Sequence, residues 1–291
     1  MEFKSITIDD VGILSRALAR YGGRICDISP GNLVFWRDWY DISYSLSEEG
    51  LVIRFGDMDG VISYYCGTND VLVARLLDFE GGEVRLTCLN ERETEYFTGK
   101  YDCADVRCDD DWNDYLYNAE DIVTLRGKKY NGQRNHINKF RRLYPDAVFS
   151  EIGKEDVERV KEFCVGYFHE FGGEKTDSAE YEEAHIIEQL GALDIYAQHT
   201  GVIKVGGEIA GFSIGETVGD TLIVHTEKAN TAYEGVYPML VKSFAERYVT
   251  KDTKYINREE DCGVEGLRIS KRSYHPVEIL KKHTLIIKGK K

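Results

Sequence analysis

The sequence predicts a mixed α/β fold, built as two successive halves that share one order of strands and helices. Strand-like runs alternate with amphipathic helical patterns along 291 residues, a length that suits two domains. Hydrophobic residues make up 42% and charged residues 30% of the chain, as in folded globular proteins. No apolar run approaches the roughly 20 residues of a membrane-spanning helix, and residues 1–10 lack the pattern of a signal peptide. We therefore expect a folded cytoplasmic protein.

The first half begins with a helix and continues as a meander of strands. Val11, Leu14 and Leu18 recur at three- and four-residue spacings after a capping residue, Thr7. The elements that follow are strands at 42–46, 51–55, 61–65 and 84–89, a polar helix at 90–97 and an acidic loop at 109–111.

The second half repeats this order of elements without repeating the sequence. It reads as strand, two helices, three-strand meander, helix, strand, short helix and strand, at 147–152, 154–171, 178–190, 202–205, 208–216, 221–227, 234–248, 253–257, 264–273 and 283–287. This is the order of an acyltransferase fold of the N-acetyltransferase (GNAT) type. We predict α/β domains of this type, with mixed sheets, in tandem at 1–125 and 146–291, joined by a basic helix at 126–145.

Positive charge is confined to two short segments of an acidic chain. The net charge is −14, yet residues 126–144 hold seven basic side chains and no acidic one, and residues 265–291 hold eight basic against two acidic. Net acidity excludes a general nucleic-acid coat protein, because phosphate binding relies on clustered Lys and Arg. The two basic segments instead predict confined anion-binding surfaces.

The first basic segment is amphipathic when it is drawn as a helix. Tyr130, Ile137, Phe140 and Tyr144 form one apolar stripe, and Pro145 ends the helix. The opposite face lacks the acidic i,i+4 partners of an ordinary solvated helix, and its amides suit hydrogen bonding to phosphate or carboxylate. Two interpretations stay open: a linker helix with a solvated basic face, or an anion-binding surface. The residues of that face are Lys128, Asn135, Asn138, Lys139 and Arg142.

A second group of polar residues follows the predicted strands 221–227 and 253–257. In acyltransferases of this type the fourth and fifth strands splay apart and the acyl donor lies in the gap, so these two strand ends would flank it. Glu227 and Glu259 are then candidate general bases.

The residues after the fifth strand could supply an acid and cations. Tyr274 or His275 is a candidate acid for the leaving group, and Arg258, Arg268 and Lys271 could hold an anionic donor or an oxyanion. The alternative interpretation is that the charges at 258–261 form surface ion pairs of little energetic weight.

Cysteine and histidine spacing predicts no metal site. The seven cysteines contain no CxxC pair, and we interpret them as reduced core thiols. Cys103 and Cys108 have no second pair at ligand spacing, and the seven histidines show no HExxH pattern.

These motifs resemble the C-terminal domain of bacterial phosphatidylglycerol lysyltransferases and its soluble relatives of unknown function. The resemblance rests on RGKKYNGQRNHINKF, HTEKAN, YEGVYP and NREED, followed by GVEGLR and SYHP. In that family a basic helix joins two acetyltransferase-like domains, as in the Fem transferases of peptidoglycan synthesis. The resemblance places Lys128, Lys129, Arg134, His136 and Arg141 in the joining motif, and Glu227, Asn230, Arg258, Glu259, Asp261, Arg268, Lys271 and Tyr274 in the C-terminal motif.

The resemblance implies an acyltransferase that moves an aminoacyl group from charged tRNA, as the membrane enzymes of the family do. The acceptor would be an amine or hydroxyl of a small molecule, a peptide or a lipid head group, and no cofactor would be required.

Two other functions stay open. Acetyl-CoA is a possible donor, but Ala232, Gly235 and Tyr237 stand where such enzymes carry Gln or Arg, Gly, and Gly or Ala, and Glu234 adds a negative charge. A non-catalytic binder of an anionic ligand on this fold is the other alternative. We expect the first half to be structural, because it is acidic throughout and lacks a comparable cluster.

Overall fold

The structure is a computed structural model that describes residues 1–21, 23–56, 59–170, 176–196 and 198–291. The chain forms two compact units, each assembled from separate segments. The first unit comprises Met1–Tyr115, Glu259–Ile269 and Glu278–Lys291, and the second comprises Leu116–Arg258 and Ser270–Val277. The predicted domains 1–125 and 146–291 and the joining helix 126–145 are contiguous, whereas these compact units are not.

The strands are β1 (Lys4–Ser5), β2 (Ser43–Ser47), β3 (Gly50–Gly56), β4 (Ile62–Tyr65), β5 (Val84–Leu89), β6 (Tyr101–Cys108), β7 (Asp114–Asn118), β8 (Val148–Ser150), β9 (His199–Val205), β10 (Glu208–Val218), β11 (Thr221–Ala229), β12 (Tyr255–Asn257), β13 (Glu278–Leu280) and β14 (His283–Lys290).

The α-helices are α1 (Val11–Leu18), α2 (Pro30–Phe35), α3 (Asp70–Phe79), α4 (Glu91–Lys100), α5 (Ala119–Thr124), α6 (Asn131–Leu143), α7 (Val157–Glu170), α8 (Asp177–Gly191), α9 (Leu193–Tyr196), α10 (Val236–Tyr248) and α11 (Glu265–Arg272). Short 3₁₀ turns include Asp110–Trp112, where an acidic loop is predicted, and Lys128–Tyr130 before α6.

The first unit contains a mixed sheet in the order β1-β2-β3-β4-β5-β14-β6. The predicted meander is confirmed, because β2, β3 and β4 pair antiparallel through short turns. β4 and β5 are parallel, and β14, from the last part of the chain, pairs antiparallel with both β5 and β6.

The second unit contains a mixed sheet whose strands follow the order β7-β12-β11-β10-β9-β8. β11 and β12 are parallel, and β7, from the first half of the chain, pairs antiparallel with β12. Each sheet therefore includes a strand from the other half of the chain. This exchange of β7 and β14 explains why the compact units are not contiguous.

Helices cover both faces of the second sheet. On one face, Phe140 of α6 and Leu240 of α10 share a buried cluster with Ile203, Ala210 and Ala229 of the strands. Successive strand residues point to opposite faces, and Lys228 contacts α7 and α8 on the other face. The predicted GNAT-type α/β fold with mixed sheets is confirmed by this layering.

The amphipathic stripe of the first basic segment is confirmed. Tyr130, Ile137 and Phe140 are 0%, 2% and 1% exposed, and the helix begins at Asn131 after the 3₁₀ turn. The predicted helix 154–171 begins at Val157, and its residue 171 lies outside the described residues.

Candidate functional site

The parallel pair β11 and β12 separates after three paired residues. Thr221, Leu222 and Ile223 of β11 pair with β12, whose last paired residue is Asn257. β11 continues to Ala229 alongside β10 alone. A gap therefore opens between β11 and β12, the fourth and fifth strands predicted for the second half, where the sequence predicts it.

Glu227 and Arg258 form an ion pair across this gap. Nε and Nη2 of Arg258 both donate to Oε2 of Glu227, at 3.0 and 2.6 Å. The Arg258 side chain is 8% exposed and the Glu227 side chain is 14% exposed. Burial opposes the charge of Arg258, but Glu227 outweighs it and raises the pKa of the guanidinium. Nη1 of Arg258 is buried without a hydrogen-bond partner in the described part of the chain.

Two tyrosine rings and a lysine hold Arg258 in place. Its guanidinium lies 4.9 Å from the ring of Tyr274 and 6.0 Å from that of Tyr117. Nζ of Lys271 donates to the carbonyl of Arg258 at 2.5 Å, and the Tyr117 hydroxyl donates to the carbonyl of Lys271 at 2.8 Å. Burial raises the pKa of Tyr274 to about 12, so its hydroxyl keeps its proton at neutral pH.

Residues 270–277, which we call the strap, connect this site to the basic helix. The Tyr130 hydroxyl donates to the carbonyl of Tyr274 at 3.1 Å, and Nε2 of Gln133 donates to the carbonyl of Ser273 at 2.7 Å. His275 Nε2 lies 3.0 Å from the carbonyl of Lys129. Residues 270–277 of the second basic segment thus lie beside the basic helix, and its other residues belong to the first unit.

Some predicted anion-binding residues of the basic helix have partners within the protein. We call the exposed basic side chains that lack a carboxylate partner open. Lys129 pairs with Asp121 at 2.8 Å, and Lys139 pairs with Glu234. Arg134 donates to the carbonyls of Leu125 and Gly127 and thereby holds the start of the helix. Within the segment 126–145, all of which the structure describes, the exposed basic side chains without a carboxylate partner are Arg126, Lys128, Arg141 and Arg142, with Asn138 and His136 exposed beside them.

The start of α10 is covered by the basic helix. Gly235, at φ +86°, caps α10 in a left-handed conformation, and a Cβ there would lie 2.4 Å from the carbonyl oxygen of His136. The Tyr237 hydroxyl lies 3.3 Å from that of Tyr167, and burial raises its pKa. Backbone, two rings and the Lys139–Glu234 ion pair thus occupy the turn where a CoA-dependent enzyme of this fold binds pyrophosphate.

Other predicted site residues have structural partners. Asn230 shapes the turn after β11, since its Oδ1 accepts from the amide of Ala232 at 2.9 Å. In the first unit, Asn32 Nδ2 donates to Glu259 at 2.8 Å. Arg268 donates to both carboxylate oxygens of Asp261 at 2.8 and 2.9 Å.

Both carboxylate oxygens of Asp261, in the first unit, accept hydrogen bonds from several donors. The hydroxyl of Tyr115 donates to it at 2.6 Å, and the amide of Gly263 donates at 3.0 Å. Hydrogen bonds from Arg268 hold the pKa of Asp261 well below its usual range. The substrate-binding roles of Asp261 and Arg268 stay predictions.

Tyr117 and Gln133 belong to the site and were not among the predicted residues. Tyr117 lies in YLYN, a short alternating run that is typical of a strand. Gln133 falls within the apolar stripe of α6 at 100° per residue, so a polar side chain at a buried helix position is the signal that could have singled it out.

One cluster of the first unit has the composition of a metal site. Side-chain ligand atoms of Cys26, Asp27, Asp114 and Glu260 lie within 4.8 Å of one another. The ammonium of Lys282 sits among them, 2.7 Å from Asp114 and 3.0 Å from Glu260, and also contacts Asp27. Burial opposes its charge, but the carboxylates raise its pKa well above the usual value. Lys282 thus provides the cation that this cluster requires.

The fold and the gap define an acyltransferase-like protein of the GNAT class. The chain belongs to the family described as phosphatidylglycerol lysyltransferase, C-terminal, whose sequence model matches residues 18–286. In the described ranges no helix is both long and apolar enough to cross a membrane.

Solved structures of similar proteins support this assignment. A conserved protein of unknown function from Bacteroides thetaiotaomicron superposes with a TM-score of 0.90 at 30% identity, covering 99% of this chain and 100% of that one. The C-terminal domain of a putative lysylphosphatidylglycerol synthetase from Agrobacterium fabrum gives 0.66 at 13% identity, with 96% and 91% covered. FemX gives 0.56 at 7% identity, with 99% of this chain and 96% of FemX covered. The last two similarities show a shared fold.

Proposed function

We propose that this protein transfers an aminoacyl group from charged tRNA to an amine or hydroxyl acceptor. The observation that carries the proposal is the covered start of α10 beside an exposed cationic face of α6. A donor with several phosphates needs cations, and the segment 126–145 holds four open ones, Arg126, Lys128, Arg141 and Arg142.

The ester of aminoacyl-tRNA is already activated, so the protein has to position it and manage protons. The acceptor nitrogen or oxygen attacks the ester carbonyl, a bond to carbon forms, and the bond between that carbon and the ribose oxygen breaks. We assign Glu227 to accept the acceptor's proton and Tyr274 to donate one to the departing ribose oxygen.

Arg258 would stabilise the oxyanion of the tetrahedral intermediate. Its Nη1 is the donor that the ion pair leaves without a partner, and a fixed donor in a water-poor site stabilises developing negative charge. The ring contacts, and the hydrogen bond from Lys271 to the carbonyl of Arg258, keep this donor oriented before the reaction begins.

Binding is tested with labelled charged tRNA at low salt. The double variant Arg141→Glu with Arg142→Glu should weaken binding at least tenfold, because it removes two open cations and adds two negative charges. The matched control replaces Lys251 and Lys254 with Glu. Both lysines are exposed near the start of β11, where Lys254 approaches Asp220. Equal affinity in the two double variants would contradict the proposal.

Turnover is tested as loss of the ester from charged tRNA with ethanolamine, which offers an amine and a hydroxyl. Glu227→Gln should lower the rate at least a hundredfold and leave tRNA affinity within about twofold, because the exposed cations are unchanged. Tight tRNA binding without ester transfer by the unchanged chain would favour the non-catalytic binder. Saturable binding of acetyl-CoA would favour the CoA-dependent alternative.

A further inference from the structure

The first unit contains a cavity of about 970 Å³ over its exchanged strand. Residues of β5, β6 and β14, together with the 3₁₀ turn Asp110–Trp112, line it. β14, from the end of the second basic segment, contributes His283 and Thr284 to the cavity wall. This volume lies in the range of pockets that bind small molecules.

Arg85 lies in the wall of this cavity and is the main evidence for a ligand there. The side chain is half-buried on β5, and among the described residues it has no hydrogen bond and no carboxylate partner. A guanidinium that is partly withdrawn from water without a counter-ion is unfavourable. An anionic ligand would supply the missing counter-charge.

Three further cations line the same cavity; Lys282 is buried among its own carboxylates, whereas Arg107 and Lys281 are exposed. Arg107 of β6 is 71% exposed and pairs with Asp105, and Lys281 is 50% exposed and lies 3.5 Å from Glu91. Exposed pairs of this kind contribute little free energy, so either cation can turn toward a ligand. A ligand in the cavity can thus reach three cations, Arg85 on β5, Arg107 on β6 and Lys281 just before β14.

The carboxylates of the cavity wall are already engaged within their own turn. Oδ1 of Asp109 accepts from the amide of Asp111 at 3.0 Å, and Oδ1 of Asp110 accepts from Nδ2 of Asn113 at 3.2 Å. They cap the 3₁₀ turn rather than neutralise Arg85. The same turn presents Trp112, which is 46% exposed and lines the cavity. An exposed indole in a cavity wall is suited to stack on a planar ring.

We propose that this cavity binds a phosphate-bearing small molecule with a planar ring. The phosphate lies against Arg85, with Arg107 and Lys281 beside it, and the ring stacks on Trp112. Charge-assisted bonds from guanidinium groups to phosphate are among the stronger hydrogen bonds in proteins. This site belongs to the first unit, and its Arg85, Arg107 and Trp112 lie in the half of the sequence for which only a structural role is predicted.

The test is calorimetric titration of the full chain with three probes. ADP carries phosphate and ring, pyrophosphate carries phosphate alone, and adenosine carries the ring alone. We expect saturable ADP binding, weaker pyrophosphate binding and no measurable adenosine binding. Arg85→Gln should weaken ADP at least tenfold, and Trp112→Ala should weaken ADP without changing pyrophosphate.

Further variants keep the test independent of folding and of the proposed function. Arg107→Gln alters an exposed side chain and should also weaken ADP, whereas Arg92→Gln, exposed on α4, should leave it unchanged. The site is refuted if neither ADP nor pyrophosphate binds in the millimolar range, or if Arg85→Gln and Arg107→Gln bind ADP like the unchanged chain. It is also refuted if only the Arg141→Glu and Arg142→Glu variant of α6 loses ADP.

Discussion

Replacing Arg258 with methionine tests whether the buried ion pair fastens the end of β12 to β11. Methionine keeps an unbranched stem but leaves Glu227, which is 14% exposed, without its cation. Removing one partner of a buried pair costs about 3–5 kcal/mol, because the remaining charge stays desolvated. Lost contact with the Tyr274 ring, 4.9 Å away, accounts for roughly 0.5–2 kcal/mol of this. We expect the free energy of unfolding to fall by about 3–5 kcal/mol.

The measurement is urea unfolding followed by circular dichroism, in a double-mutant cycle. Adding Glu227→Met to Arg258→Met should recover at least about 2 kcal/mol, because no unpaired charge is then buried. Lys254→Met is the control, since that lysine is 70% exposed and 3.7 Å from Asp220, and it should change stability by less than about 0.5 kcal/mol. Additive single costs, or a cost of Arg258→Met below about 1 kcal/mol, would refute the reasoning.

Three other changes follow from the described contacts. Gly235→Ala should lower the melting temperature, because it combines a left-handed φ with a collision against the backbone of α6, while Gly132→Ala, with nothing within 4 Å, should not. Asp261→Asn should reduce the loss of stability between about pH 4 and pH 2. A carboxyl whose pKa is lowered in the folded protein stabilises that protein above its unfolded pKa of about 3.9, and this contribution is lost as the pH falls. Lys282→Met should cost about 3–5 kcal/mol at pH 7 and less at pH 5, because burial raises the pKa of its partner Asp114 to about 6. Lys281→Met, at a half-exposed side chain, should show neither effect in calorimetric melting.

The parts of the fold that the sequence predicts are those with strong local periodicity. Residues 84–87 alternate buried and half-buried positions, and β5 has the predicted bounds 84–89. The apolar stripe of α6 recurs at helical spacing, so the helix and its buried face are both found. β6 is missed because its outward positions carry Asp and Arg, and its ladder to β14 depends on residues far along the chain.

The candidate site is predictable where it depends on strand order and not where it depends on long-range packing. The pairing of Glu227 with Arg258 follows from the ends of two strands that flank one gap. Tyr117 belongs to β7, whose exchange into the second sheet no local pattern indicates. For the same reason the partners of Glu259, in the first unit, are not visible in the sequence.

The exchange of β7 and β14 constrains the order in which the chain can fold. During synthesis the ladder from β5 to β6 stays open until residues 283–290 leave the ribosome, so the sheet of the first half cannot close while the second half is unmade. Pairings of such high sequence separation slow folding, because loop-closure entropy is lost before the contacts form. Deleting those last residues should therefore damage the half of the protein that is made first.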